Sequence, residues 1–177
     1  LYYIRCNVPW HRKPEYFTES KWHASLQQAG GGTLITQASH IVDIAMWALG
    51  SKPIKASGTT RRMKFKDVEV EDLFMGSIEM ENGTLIEICS SMVANPEKCI
   101  TMEVYGKNGT GFYEGHFFPK SRFEGVKIKK RKPPIGGIHA LVASIEGFRR
   151  WVVNDEPFAM PIENSLPVLA VIDALYR

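Results

Sequence analysis

Gly30-Gly31-Gly32-Thr33-Leu34-Ile35-Thr36-Gln37-Ala38-Ser39-His40-Ile41-Val42-Asp43-Ile44-Ala45-Met46-Trp47-Ala48-Leu49-Gly50 is the stretch around which the chain is organised. Glycines open and close it, and an uninterrupted helical pattern lies between. At about 100° per residue, Leu34, Ala38, Ile41, Ala45 and Ala48 form one stripe. Thr36, His40, Asp43 and Trp47, with Ile44 beside them, form a nearly opposite one. A surface helix carries charge on its second side; a helix apolar nearly all round is buried on more than one face. The first stripe is therefore expected to pack on the domain's own sheet. The second is expected to meet a ligand or another domain.

Outward from this helix the signals are mostly β. Leu1 to Val8 is rich in strand formers and runs into Pro9. Residues 9–29 show little periodicity, and Pro14 argues against one helix through them. A loop of that length inside a compact domain is usually functional. Its flat apolar and multivalent polar groups (Trp10, Arg12, Tyr16, Trp22) make it a candidate wall for a sugar-like ligand. After Gly50 and Pro53, Ile54 to Met63 reads as a strand with Ile54, Ala56 and Gly58 on one side. Ile78 and Met80 alternate with polar neighbours up to Asn82-Gly83, a hairpin turn pair. Ile86, Ile88 and Met92 come next, then Ile100, Met102 and Val104, then a turn at Gly106–Gly109 into Gly111–Glu114. These short turns predict antiparallel neighbours in chain order. The lysine-rich stretch 120–134 reads as a solvated edge strand. Ile138, Leu141, Val142, Ile145, Phe148 and Val152 predict an amphipathic helix. A last helix from Ile162 carries Leu166, Leu169, Ala170 and Ile172, with Pro167 in its early part. The fold class is α+β: one open, largely antiparallel sheet with helices on one face. The other face, carrying Ile and Met in places, is a candidate partner surface.

Bulk properties narrow the function. The chain has 177 residues, enough for one domain, and a net charge of +3, too mild to argue for nucleic acid. Cys6, Cys89 and Cys99 are odd in number and form no CxxC, so neither a disulfide framework nor a zinc site is suggested. No apolar run reaches transmembrane length, and reduced thiols fit a cytoplasmic protein. Leu1 is not a methionine and Arg177 falls inside an apparent helix, so a piece of a longer polypeptide is expected.

His40 is the best candidate for chemistry, because a neutral-range imidazole can accept a hydroxyl proton. Asp43, three residues on, could orient it; a satisfied interior histidine beside a surface carboxylate remains open from these residues alone. The glycines could bring free helix-entry amides close to a ligand, or only make a turn. Thr36 and Gln37 could bond substrate or one another. His139 reads as a capping or core histidine, and His11, His23 and His116 show no ligand spacing. No metal set, phosphate loop or Ser/His/Asp order is present.

The pattern Gly30-Gly31-Gly32-x-Leu34-x-x-Gln37-x-x-His40-x-x-Asp43, then Trp47-x-x-Gly50, resembles the C-terminal domain of the Gfo/Idh/MocA oxidoreductases, the family of glucose–fructose oxidoreductase and inositol dehydrogenase. Trp10-x-Arg12 with Tyr16 and Trp22, the Gly106-x-x-Gly109 turn and the helix through Phe148 are similar too, so the likeness spans nearly the whole chain. It implies a single C-terminal substrate-binding and oligomerisation domain over 1–177, with a dihydrodipicolinate reductase-like sheet. The domain would close over NAD or NADP held mainly by an N-terminal Rossmann domain. That domain's GxGxxG and Glu-Lys-Pro motifs are absent here, so the chain alone is expected to be inactive. The resemblance further implies His40 as acid/base with Asp43 in support. Arg12, Tyr16, Trp22, Thr36 and Gln37 become substrate contacts, and Gly31 and Gly32 cofactor contacts. It also implies a sugar, sugar-nucleotide or cyclitol substrate and a homo-oligomer formed through the open sheet. The family often has aspartate where Thr36 stands. A non-catalytic binding or scaffold domain that oligomerises through its sheet is the alternative.

Overall fold

The computed structural model describes residues 1–115, 120–127, 138–158 and 161–177, with the backbone alone for 138–140. Its centre is β1 (Tyr3–Pro9), whose alternating Ile4, Cys6 and Val8 are fully buried. The sheet has seven strands in the order β2-β3-β4-β1-β5-β6-β7. These are β2 (Pro53–Arg61), β3 (Leu73–Met80), β4 (Leu85–Ser91), β5 (Ile100–Gly106), β6 (Gly109–Gly115) and β7 (Lys120–Glu124). The pairs β2/β3, β3/β4, β5/β6 and β6/β7 are antiparallel, as the short turns predict for β3/β4 and β5/β6. The break comes between β4 and β5, which are not neighbours. The first strand inserts between them, parallel to β4 and antiparallel to β5, with Tyr3 opposite both Leu85 and Tyr105.

One face of this sheet is covered by α3 (Ser39–Leu49) and α5 (Leu166–Tyr176). Ile41, Val42, Ala45 and Met46 of α3 and Val168, Val171, Ile172 and Leu175 of α5 close on Ile4, Cys6, Phe74, Ile78, Ile86 and Ile88. Several finer expectations change. Ala48 is exposed; the buried stripe runs through Val42 and Met46, because a π turn at Leu34–Ala38 shifts the phase ahead of α3. Ile54 is 61% exposed, since a bulge between Pro53 and Lys55 turns it out while Ala56 stays against the core. Leu166 and Leu169 face outward. Nearly every position of α5 is apolar, so periodicity alone could not choose its face. The loop of 10–29 is not structureless: it contains α1 (Glu15–Thr18), a 3₁₀ turn at Lys21–Ala24 and α2 (Leu26–Ala29).

α4 (Ile138–Asn154) forms where its periodicity predicts, but Leu141, Val142, Ile145, Phe148 and Val152 remain at least half exposed. On the helix side of β5–β7 lies an apolar groove of about 540 Å³, with Met102, Val104, Phe123 and Val126 in its lining. The predicted edge strand is real as far as Glu124 and exposed throughout. The rest of its lysine run from Ile128 on, with His116 and the side chains of Ile138 and His139, lies outside the described residues.

The opposite face is more polar than its sequence suggests, because Ile78, Met80, Ile86 and Ile88 all turn into the core. Arg5 pairs with Glu87 at 3.0 Å, and Tyr3 stacks on Tyr105 at 4.3 Å. The Tyr105 hydroxyl donates to Glu103 at 2.5 Å, which pushes its pKa up to about 12. Met75 and Leu85 are the large aliphatic groups exposed among them.

All three cysteines are free. Burial pushes the Cys6 thiol from 9.0 up to about 12. A folded-state pKa above the unfolded one contributes stability that is complete below pH 9.0 and lost as pH rises toward about 12. Urea midpoints should fall over that interval. Ellman's reagent should titrate exposed Cys99 first and reach Cys6 only on unfolding; equal rates in the folded protein would contradict this packing.

Candidate active site

The helix that carries His40 starts where parallel strands β1 and β4 end. Ser90, near the end of β4, donates its hydroxyl to the Thr33 carbonyl at 3.1 Å and receives the Thr33 hydroxyl at 2.5 Å. The first amides of any helix lack intrahelical partners. Here Glu71, on the approach to β3, meets three consecutive ones. Its carboxylate accepts from Gly32 N–H at 2.6 Å and Leu34 N–H at 2.9 Å, and its carbonyl accepts from Thr33 N–H at 3.0 Å. Tyr176 of α5 donates its hydroxyl to the same carboxylate at 2.8 Å. Burial, with the adjacent carboxylate, holds that phenol well above its ordinary pKa, so it stays a donor.

This arrangement changes the meaning of the glycines. A Cβ on Gly32 would lie 1.8 Å from the Glu71 carbonyl oxygen, and one on Gly31 would lie 2.2 Å from the Tyr176 hydroxyl. The Gly31 φ of +153° is also one that side chains rarely adopt. Of the two glycines expected to contact a cofactor, Gly32 has an amide already bound within the chain. The Gly32 amide belongs to Glu71, and both residues are buried against the chain itself.

Along the helix, Thr36 donates its hydroxyl to the Gly32 carbonyl at 2.7 Å, so that group too has an internal partner. Gln37 lies in the π turn, only 2% exposed, and neither atom of its amide has a partner among the described residues. Single π turns recur at functional sites, where the extra residue re-aims the side chains of the next turn. His40 and Asp43 come next, both exposed on one face of α3, with no hydrogen bond between them. Ile44 at 43% and Trp47 at 82% exposure complete that face.

The aromatic loop brings Arg12, Tyr16 and Trp22 together. The Arg12 guanidinium lies 4.8 Å from the Trp10 ring and 5.3 Å from the Tyr16 ring, and pairs with Glu97 at 3.5 Å. Tyr16 stacks on His23 at 4.0 Å, and Trp22 packs on His23 at 3.8 Å. His23 donates from Nδ1 to the Tyr16 carbonyl. Arg12 and Tyr16 thus largely face one another, while Trp22, 45% exposed, is the member most open to a ligand.

The residues missed from sequence are Glu71, Asp72 and Tyr176. Asp72 is fully buried and accepts the consecutive amides of Met63, Lys64 and Phe65 at 2.6, 2.7 and 2.9 Å. Two adjacent carboxylates at the entrance to an apolar strand were the available signal. No group of His, Cys, Asp and Glu able to hold a metal occurs among the described residues. No described helix is long and apolar enough to cross a membrane.

The sequence profile of the GFO/IDH/MocA C-terminal domain matches residues 1–111. The chain belongs to this family. Similar solved structures include the WlbA dehydrogenase of Bordetella pertussis in complex with NADH and UDP-GlcNAcA, with a TM-score of 0.80 at 23% identity, over 99% of this chain and 51% of that one. Another is the aldose–aldose oxidoreductase of Caulobacter crescentus complexed with glycerol, at TM-score 0.82 and 18% identity, over 99% and 52%. The D-glucoside 3-dehydrogenase of Escherichia coli (strain K12) is 24% identical over 165 residues, 84% of this chain and 46% of that protein. This Gfo/Idh/MocA chain therefore spans about half the length of the relatives it matches.

If Glu71 and Tyr176 explain the glycine run, Gly32→Ala should cost at least about 2 kcal/mol in urea denaturation. Gly50→Ala, at φ +57° with nothing within 4 Å, should cost only about 1 kcal/mol. Equal costs would remove the steric argument.

Proposed function

We propose that this Gfo/Idh/MocA chain is the substrate-binding domain of an oxidoreductase that moves a hydride between a nicotinamide cofactor and a sugar, sugar-nucleotide or cyclitol carbon. The observation that carries the reading is the second face of α3. It sets His40 and Asp43 beside exposed Ile44 and Trp47, on a helix whose first face is already committed to the core. An apolar patch of this kind around a titratable pair marks a surface meant to be covered.

The fit to a dinucleotide is partial. The helix-entry amides that would otherwise cradle its phosphates are occupied by Glu71. The cofactor, NAD or NADP, is therefore held mainly outside these 177 residues, on a Rossmann domain of the kind the family resemblance implies. When bound, the nicotinamide supplies the hydride acceptor or donor. The chain's own residues do the rest. His40 accepts the proton of the substrate hydroxyl during oxidation and returns it during reduction. Asp43 lies three residues on, on the same exposed face of α3, and is assigned the supporting position beside His40. Trp22 gives the sugar ring a flat face, with Arg12 and Tyr16 behind it, and Gln37 offers its unpaired amide to a hydroxyl or a bridging water.

In the intact protein that carries this domain, NAD(P) reduction over a panel of sugars, sugar nucleotides and inositols tests the reading. His40→Ala should lower kcat by about 10²–10⁴; turnover at the parent rate would defeat the assignment. Calorimetry on the isolated chain should show no NAD(P) affinity, and tight binding would contradict a cofactor held elsewhere.

The open sheet face supports a homo-oligomer as a second element of the proposal. It carries stacked Tyr3 and Tyr105, exposed Met75 and Leu85, and the Arg5–Glu87 pair. Light scattering should show more than one copy, and Arg5→Glu, which places like charges at Glu87, should shift the population toward monomer. A parent protein monomeric at micromolar concentration removes this element and leaves the catalytic one standing.

A further inference from the structure

Glu71 takes part in no step proposed above, yet its carboxylate has three hydrogen-bond partners at the start of the His40 helix. One residue satisfies Gly32, Thr33 and Leu34, the amides that open that helix. A carboxylate is the suitable group there, because helix-entry amides and the helix dipole both favour negative charge. Glu71 is itself held by bonds on its backbone and side chain. Its carbonyl is bound to Thr33, and the Asp72 amide donates to the Arg61 carbonyl at 3.1 Å. The Asp72 side chain is tied to three further amides, of Met63, Lys64 and Phe65. The Glu71 oxygen that accepts the Leu34 amide, Oε1, also takes the Tyr176 hydroxyl from α5. The start of the His40 helix is therefore referenced to two separate parts of the core, the β3 entrance and the last helix. Packing alone would allow that helix to slide along its apolar stripe. Three directional bonds at one end remove the freedom.

We propose that Glu71 is a positioning residue of the active site: its carboxylate, seated by Tyr176, sets the axial position and rotation of the helix that presents Gln37, His40 and Asp43. This rests on the reading of His40 as the proton acceptor. The carboxylate acts through the helix and touches neither substrate nor cofactor. Groups that must meet a reacting atom within a fraction of an ångström depend on such supports.

The test uses Glu71→Ala in the intact protein, with a small carboxylate as the replacement part. Glu71→Ala should lower kcat about ten- to a hundredfold, with KM for the sugar changed less than about twofold. Formate or acetate at tens of millimolar should restore part of the lost kcat by filling the vacated position, and chloride at equal ionic strength should not. Hydrogen exchange should accelerate at Gly32 and Leu34, while Ile4, Cys6, Ile86 and Ile88 keep their protection. A kcat equal to the parent's would overturn the proposal. So would a rise in KM at constant kcat, or a loss that formate leaves untouched. Should Glu71→Ala fail to fold, Glu71→Gln keeps the volume and one acceptor, and its kcat should fall with KM unchanged; parent-like kcat there overturns the proposal equally. A parent protein that moves no hydride on any sugar defeats the functional reading alone. Exchange at Gly32 and Leu34 then decides whether Glu71 holds the helix, and unchanged rates would end the proposal.

Discussion

A helix begins with amides that nothing in the helix can satisfy, and here a single buried acid meets that need. Much else depends on the Glu71 contact. Its carbonyl lies where a side chain on Gly32 would project, and its phenolic partner Tyr176 excludes one on Gly31. The glycine run is thus the shape required for a protein carboxylate to reach a helix terminus, the geometry other proteins use to admit a phosphate. The same contact joins three distant parts of the chain: the entrance to β3, the start of the His40 helix and the final helix. Tyr176 cannot reach Glu71 unless α5 lies on the sheet, so the core and the site are held by one set of bonds.

The domain is finished on one side only. Over β2–β4 and β1, α3 and α5 close the core, and Phe74, Ile78, Met80 and Ile86 are fully buried. Over β5–β7 the helix-facing side keeps an apolar groove, and α4 exposes Leu141, Ile145, Phe148 and Val152 along one stripe. The second face of α3 is equally bare. A globular domain seldom leaves that much apolar surface without a use for it. The relatives it matches are about twice as long as this chain.

Much of this was legible in the residues. Alternation with a period of two marked β2 to β5, because a strand with one buried face must alternate, while β1 was legible from its strand formers and β7 from its lysines. Asn82-Gly83 and Gly106–Gly109 marked turns whose backbone favours glycine. Helical spacing put His40, Asp43 and Trp47 on one face of α3, and the structure leaves that face exposed. Where one pattern overlay another, the reading slipped. The π turn moved the buried stripe from Ala48 to Val42 and Met46. The bulge at Pro53–Lys55 turned Ile54 outward. In α5 apolar residues on every side left the face undetermined. The polar character of the open sheet face was misjudged, because Ile78, Met80, Ile86 and Ile88 belong to the other side and Met75 and Leu85 are the large exposed aliphatics on it.

Local periodicity, turn chemistry and composition by themselves determined the element types, the α+β class, the two-faced helix and its candidate histidine, since each depends on neighbours within a few residues. Only the tertiary structure decided that β1 lies between β4 and β5. It alone showed that Arg12 is turned toward Trp10, Tyr16 and Glu97, and that Glu71 and Tyr176 close the entrance to the His40 helix. The physical reason is separation along the chain: Glu71 lies 39 residues from Gly32 and 105 from Tyr176. No local pattern constrains groups so far apart until burial brings them together and leaves their polar atoms only one another to bond.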